Sequence, residues 1–403
     1  MTRRSLGRCI RLAGAAGLAG WLFVGVVIAS AGAGGIAPAH VTPPVRGLWV
    51  TVFSTEHPFS SRAALEQFFT RAEFLGIQTV FLQVYRGDQA WFRSSVADDA
   101  PFQRAQQTFG NDPLAAFLRA AHQRHITVHA WLNVLSLSTN AQAKVLTELG
   151  TGALTVDQDG HASLAKPDTR VITFVLEKQL FLEPGDPRVQ QHVVAVTTEL
   201  LQRYPELDGL HLDYIRYPYA VPSIPSATFQ AQGLSYGFAP ANVTRFQEAT
   251  QLNPRHKVLA PATAHRWDDW RRLQVSQLVE RVAQAVRQQR QGLRISCAVM
   301  PSVERAYGVV FQDWPLWVDK GWVDFVVLMN YTTDVRWFTL NARTATALAP
   351  GRVHLGIGLH LLKDDAAVLA DTLTVAQRLQ PAGLTFFSYE ETRDPNMRKA
   401  LAR

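Results

Sequence analysis

Cysteine is nearly absent from this sequence, with two in 403 residues, which excludes a disulfide framework. Cys9 precedes the first apolar run and so cannot be a lipoprotein attachment cysteine, which must follow such a run; Cys297 lies inside the apolar stretch Leu293–Val299 and reads as a buried thiol. No G-x-G-x-x-G or phosphate-binding loop follows any strand-like segment, which argues against a nucleotide-binding fold. No G-x-S-x-G elbow exists for a Ser-His-Asp hydrolase. His122, His125 and His129 have ligand-like spacing, but they straddle a helix end and the next strand. The i, i+4 geometry of a zinc helix therefore does not hold, and no metal site is expected. Acid is missing as well, with none before Glu56.

That last absence explains the charge. The formal balance of +7 includes Arg3, Arg4, Arg8 and Arg11 within residues 1–39, so 36 of the 40 Lys and Arg face 33 acids in the remainder. No Lys/Arg stripe with interleaved aromatics occurs, and nucleic acid is not an expected partner. The four arginines precede an uncharged run from Leu12 to Ala37, and Ala37-Pro38-Ala39 offers a small-x-small cleavage pattern. Residues 1–39 therefore read as a signal peptide or an uncleaved signal anchor, the run reaching the ~20 residues a bilayer span needs. Either places the globular part outside the cytoplasm, in the periplasm or cell envelope, with the anchor holding it to the inner membrane. Residues 40–45, with Pro43-Pro44, read as a Pro-rich linker.

From Arg46 onward, 46–403 forms one domain of ordinary globular composition, in a chain 47% hydrophobic and 18% charged. Short β-rich runs alternate with helix-like stretches. The strands are expected at Leu48–Phe53, Ile77–Val84, Ile126–Leu132, Gly209–Tyr214, Leu293–Val299, Val323–Met329, Val353–Ile357 and Leu384–Tyr389. Helices are expected at Ala63–Leu75, from Asp112-Pro113 to Gln123, and from Asp186-Pro187 to about Arg203. Others follow at Trp270–Gln289, Trp314–Lys320, Thr344–Leu348 and Asp364–Leu379. Eight strands in alternation with helices favour an α/β fold of the closed (β/α)8 barrel type over an open sheet. Two long insertions, Ser136–Gly185 and Tyr219–Asp269, follow strands three and four and would wall a cleft over the same face. Val171–Leu176 and Leu180–Leu182 suggest a small hairpin within the first.

In such barrels chemistry is done at the C-terminal ends of the strands. Those ends offer Gln83, Tyr85, Arg86 and Asp88; His129, Trp131 and Asn133; His211, Asp213, Arg216 and Tyr217; Ser302 and Glu304; Asn330, Tyr331 and Asp334; His360; and Tyr389, Glu390 and Glu391. Carboxylates for proton transfer, amides and arginine for hydroxyls, and flat rings for a pyranose face together suit a sugar. Plainer readings stand beside these: Trp49 and Trp131 as core rings, Gln83 as a hydrogen-bonded core amide, Tyr331 as packing, and Glu390 and Glu391 as solvated surface. The segment Asp208–Pro218 (DGLHLDYIRYP) is the most informative, carrying Asp213 after two leucines that alternate inward. Arg216 beside it is expected to hold its pKa down, suiting a nucleophile or base; the alternative is a structural Asp213–Arg216 ion pair.

At this point the residues resemble the bacterial glycosyl-hydrolase-like family ten. The similarity runs through Arg46-Gly47-Leu48-Trp49-Val50, Phe81-Leu82-Gln83-Val84, Arg86-Gly87-Asp88, Asp112-Pro113-Leu114, Ala121-His122 and His129-Ala130-Trp131-Leu132-Asn133. It continues in Pro184-Gly185-Asp186-Pro187-Arg188-Val189, in Asp208–Pro218 and in Trp270-Arg271-Arg272. The resemblance implies an envelope protein with a (β/α)8 barrel, in a family that includes a divisome-associated peptidoglycan glycosidase, and hence cell-division proteins as candidate partners.

Residue inventory and resemblance together point to an exported glycoside hydrolase acting on a polysaccharide, the glycan strands of peptidoglycan foremost, by two carboxyl groups and without a cofactor. Asp213 is one carboxyl. Glu390 is placed ahead of Asp208, Glu304 and Asp334 as the second, because it follows the eighth strand. Gln83, Trp131, Asn133, Arg216, Tyr217, Asn330 and Tyr331 are the expected substrate contacts. Two other readings stay open: a barrel that has lost catalysis and serves as a glycan-binding, division-associated scaffold, and a deacetylase, which would need His and Asp clustered around a metal.

Overall fold

The structure, a computed structural model, describes residues 43–164, 174–222, 235–256 and 259–402. The leader expected at 1–39, the start of the expected linker and the first part of the expected hairpin lie outside the described residues.

Eight parallel strands close into a barrel: β1 Val45–Val50, β2 Thr79–Arg86, β3 Thr127–Asn133, β4 Gly209–Asp213, β5 Arg294–Val299, β6 Phe325–Met329, β7 Val353–Gly358 and β8 Gly383–Phe387. Neighbours in sequence are neighbours in space, and β1 closes the ring by pairing with both β8 and β2, Leu48 lying opposite Phe386 on one side and Val80 on the other. All eight expected strands are present. The first starts earlier than expected, so Val45 belongs to β1 and not to the linker.

Helices return the chain between strands, and their starts follow from local chemistry. Asp112 and Asp186 each accept a backbone N–H of the first turn while Pro113 and Pro187 occupy positions where no donor is needed. The helix expected at Trp270–Gln289 runs from Pro261 to Gln289, and the one expected at Thr344–Leu348 begins at Val335, capped by Asp334.

The hairpin in the first insertion does not form. Leu180–Phe181 pairs antiparallel with Ser136–Ser138, and Phe174–Leu176 pairs antiparallel with Ala220–Pro222 of the second insertion. Non-local pairing outcompetes the hairpin, and the two insertions become joined above the C-terminal ends of β3 and β4.

The barrel interior is unusual. On β4 the leucines Leu210 and Leu212 belong to the large apolar layer between strands and helices, and His211 and Asp213 face the lumen, the reverse of the sequence expectation. There Trp49, Phe81, Trp131, Phe325 and Val327 form a separate cluster, with Tyr331 and Phe387 packed against it. Three imidazoles share the space. His211 accepts from Trp49 Nε1 (3.1 Å) and therefore donates from Nδ1 to Ser296 Oγ (2.9 Å), while His129 Nδ1 lies 3.2 Å from the same hydroxyl. The rings of His129 and His354 lie where a Cβ on Gly209 or Gly383 would stand, so both positions require glycine for room.

Candidate active site

Asp213 ends β4 with its carboxylate held from two sides. Trp131 Nε1 donates to Oδ2 (3.1 Å) and the Tyr214 backbone N–H donates to Oδ1 (2.7 Å). The β3–β4 register sets this arrangement by placing Asn133 opposite Asp213. Tyr214 turns the chain in the left-handed region (φ 52°) directly after the strand. Asp213 is only 6% exposed. Burial raises its pKa to about 6; its hydrogen bonds and the Arg216 charge pull the other way, and Glu177 adds to the rise. The expected lowering by Arg216 is thus overturned, because desolvation outweighs a cation that is paired elsewhere.

That pairing is with Glu177. Arg216 Nη1 and Nη2 grip Glu177 Oε2 and Oε1 at 2.9 and 2.7 Å, and the Tyr219 N–H donates to Oε2 at 2.8 Å. The guanidinium also lies over the Tyr214 ring at 4.9 Å. Neither a structural Asp213–Arg216 pair nor a free sugar-binding arginine results. Arg86, at the end of β2, is the less committed cation: it bonds Ser138 Oγ (3.2 Å), lies 4.4 Å from the ring centre of Phe53, and is electrostatically coupled to Asp213 and Tyr214. Phe53 is 65% exposed.

The other expected contacts divide. Tyr331 stays in the site, stacked on Phe387 at 5.3 Å, its hydroxyl pushed well above its usual range by burial and then by Asp213 and Tyr214. Gln83 and Asn133 are buried and bonded to each other (3.0 Å), with Gln83 Oε1 also accepting from the Val52 N–H. Asn330 donates to Phe338 O and accepts from Asn341 Nδ2, which makes it a brace for the helix after β6. Tyr217 is turned into the second insertion, where its hydroxyl donates to the buried Glu183 (2.6 Å). Asn330 and Tyr217 therefore hold the walls of the site, and Arg216 spends Nη1 and Nη2 on Glu177 while its buried Nε has no hydrogen-bond partner among the described residues.

The candidate second carboxylates separate in the same way. Asp208 lies at the opposite, N-terminal end of β4, accepting from the Val128 N–H and pairing with His122. Glu304 takes the Ser302 hydroxyl and Asp334 caps a helix. Glu390 follows β8 at the same end as Asp213, but its oxygens accept from the Thr55 N–H and hydroxyl and pair with Arg393 at 2.8 Å. Among the described residues no hydrogen bond or ion pair links Glu390 to Asp213. Glu177 is the carboxylate that the sequence inventory missed. It falls in the segment read as a hairpin turn, and the one available signal was that a buried Arg216 needs an acid.

Residues 44–372 match the model of the family described as Glycosyl hydrolase-like 10. The chain belongs to that family. It is similar to the glycosyl hydrolase DigH of Escherichia coli K12, 24% identical over 355 residues that cover 79% of this chain and 74% of that protein. It is also similar to the glycosyl hydrolase YngK of Bacillus subtilis 168, 24% identical over 64% of this chain and 46% of that one. Among solved structures, the catalytic domain of a beta-amylase from Paenibacillus polymyxa superposes with a TM-score of 0.58 at 11% identity, over 89% of this chain and 97% of that one. An alpha-L-fucosidase from Paenibacillus thiaminolyticus gives 0.55 at 14%, over 89% and 48%. At such identities these structures show the shared barrel alone. This Glycosyl hydrolase-like 10 barrel has Asp213, Trp131, Tyr331 and Arg86 gathered at its C-terminal face.

Proposed function

We propose that this chain is an exported glycoside hydrolase that cleaves a polysaccharide of the cell envelope, the glycan strands of peptidoglycan, with Asp213 as the proton donor to the leaving oxygen. The observation that carries the reading is the state of Asp213: a buried carboxyl at the reactive end of a barrel strand, its pKa raised to about 6. A glycosidic oxygen must be protonated as its bond to carbon breaks, and a carboxyl tuned toward the working pH is suited to that transfer; water oxygen then bonds to the carbon and releases a proton that restores the acid form of the carboxyl. Trp131 and Tyr214 fix the carboxyl's orientation, Tyr331 and Phe387 offer flat apolar faces, and Arg86 offers donors to sugar hydroxyls. No cofactor enters the reaction. The family membership and the names of the two relatives agree with hydrolysis; export, the envelope address and division-associated partners rest on the arginine-led apolar N-terminus and on the resemblance.

One observation favours the scaffold reading as the second: Glu177 and Glu390, two carboxylates of the open face, are both engaged by arginines. Incubating the full chain with peptidoglycan, intact and stripped of stem peptides, and reading the products by mass spectrometry separates the two. Shortened glycan chains support the hydrolase. Binding without any cleavage gives the protein to the scaffold.

A further inference from the structure

Glu177 and Tyr219 face each other where the two insertions join, just past the Leu176–Ala220 end of their ladder. Glu177 comes from the first insertion, Arg216 from the end of β4 and Tyr219 from the start of the second, so one carboxylate ties three segments together beside Asp213. The fork of Arg216 is spent on it in two parallel bonds, a geometry that fixes direction as well as distance. Arg216 is three residues from Asp213, is 4% exposed, and would be the obvious counter-ion for that acid. Yet Asp213 makes its polar contacts with Trp131 and Tyr214.

We propose that Glu177 is a positioning residue for Asp213, acting through Arg216: by holding the guanidinium in a bidentate pair it keeps the neighbouring cation from becoming the counter-ion of the acid. This rests on the reading of Asp213 as proton donor. A proton donor loses its use if a cation settles against it, because the cation favours the ionised form. The remaining groups around Asp213 do not supply this control. Trp131 on β3 and the Tyr214 amide are neutral donors. Tyr331 after β6 and Tyr214, both half-buried, and the buried Cys297 on β5 are groups whose own ionisation is pushed upward. Arg86 after β2 is the second cation coupled to the acid, and it is anchored on Ser138 and Phe53. Glu177 is an anion whose charge raises the pKa of Asp213.

The indole N–H of Trp131 supplies a readout that needs no substrate. In the full chain labelled with 15N in its tryptophan indoles, the Trp131 resonance, assigned by its loss in Trp131→Phe, should titrate with Asp213 at a midpoint near pH 6 and stop titrating in Asp213→Asn. Glu177→Gln removes an anion and frees a cation, so both effects move the midpoint down, by on the order of one pH unit. If that variant does not fold, Arg216→Met takes its place, because it leaves behind a carboxylate whose side chain is 19% exposed; there the midpoint should rise. A midpoint unchanged by either substitution, with the other indoles at their native positions, overturns the proposal. A midpoint that moves as stated in a protein that cleaves no glycan upholds the positioning role and removes the hydrolase reading, so the two fail separately.

Discussion

Trp131 and Asp213 meet across the seam between β3 and β4, the indole N–H of one closing on the carboxylate of the other at 3.1 Å. The contact joins an aromatic floor to an acid at the barrel's reactive end, and it predicts how the acid is used. Asp213→Asn should lower turnover on glycan by about three powers of ten or more while glycan binding is largely kept. An aryl glycoside whose leaving group needs no protonation should narrow that gap strongly. The wild-type rate should fall as pH rises through about 6, since the protonated form is the donor. An Asn variant with unchanged turnover on glycan would make Asp213 structural.

The same acid has a signature in stability. In the unfolded chain it ionises near its ordinary 3.8, and in the folded chain at about 6. Between those values the folded state binds the extra proton at Asp213, so this group's contribution to wild-type stability falls as pH rises through that window and is level above it. Asp213→Asn lacks this loss but gives up one accepted hydrogen bond, about 1 kcal/mol. Relative to wild type the variant should therefore gain stability from pH 4 to pH 7, by at most about 3 kcal/mol. Urea unfolding at both pH values measures it, and a difference that does not grow with pH would contradict the buried, proton-holding state.

The barrel was legible because its signals are local. Each strand is a short apolar run, and each of the Asp-Pro pairs at 112–113 and 186–187 marks a helix start by its own chemistry. Asp213 was legible for the same reason, as a carboxylate ending such a run. What the sequence hid is long-range. Tyr217 and Asn330 sit at strand ends like true contacts, and only the packed structure turns them onto Glu183 and Phe338. Glu177 is 39 residues from Arg216, inside a segment whose pairing partner is in another insertion. Periodicity also cannot tell which face of β4 looks inward: leucines are the usual lumen residues, and here histidines took that place.

Arg86 and Phe53 yield a prediction about substrate. An exposed phenylalanine under a guanidinium, beside the acid, is a flat surface for a sugar ring with donors at its edge. Phe53→Ala should raise KM several-fold with little change in kcat, because the ring is used alike in ground and transition states. Arg86→Gln should raise KM as well, and it should also lift the midpoint of Asp213 by removing a coupled cation. Unaltered KM in both variants would remove this edge of the cleft from the binding site.

The imidazoles of the lumen set the acid limit of the fold. His129 and His354 are buried with pKa values near 3, and His211 lies well below its usual range, burial being the main cause in each. Unfolded, each would take a proton near 6.5, so below that pH the unfolded state binds more protons and stability drains away as pH falls toward 3. This window spans the range from 3.8 to about 6 in which Asp213 works in the opposite sense, and Asp213 is common to wild type and a histidine variant, so it cancels between them. His354 isolates it, because its ring stacks on Phe325 at 4.4 Å and contacts Thr385 but lies away from the Asp213 carboxylate's own partners. His354→Leu should be less stable than wild type at pH 8, where it loses a fitted ring. By pH 4 the gap should shrink by about 3 kcal/mol, since only the wild type then has that imidazole to leave unprotonated. Denaturant unfolding of both proteins at the two pH values decides it: a gap that stays constant would mean that His354 is not held neutral by the barrel.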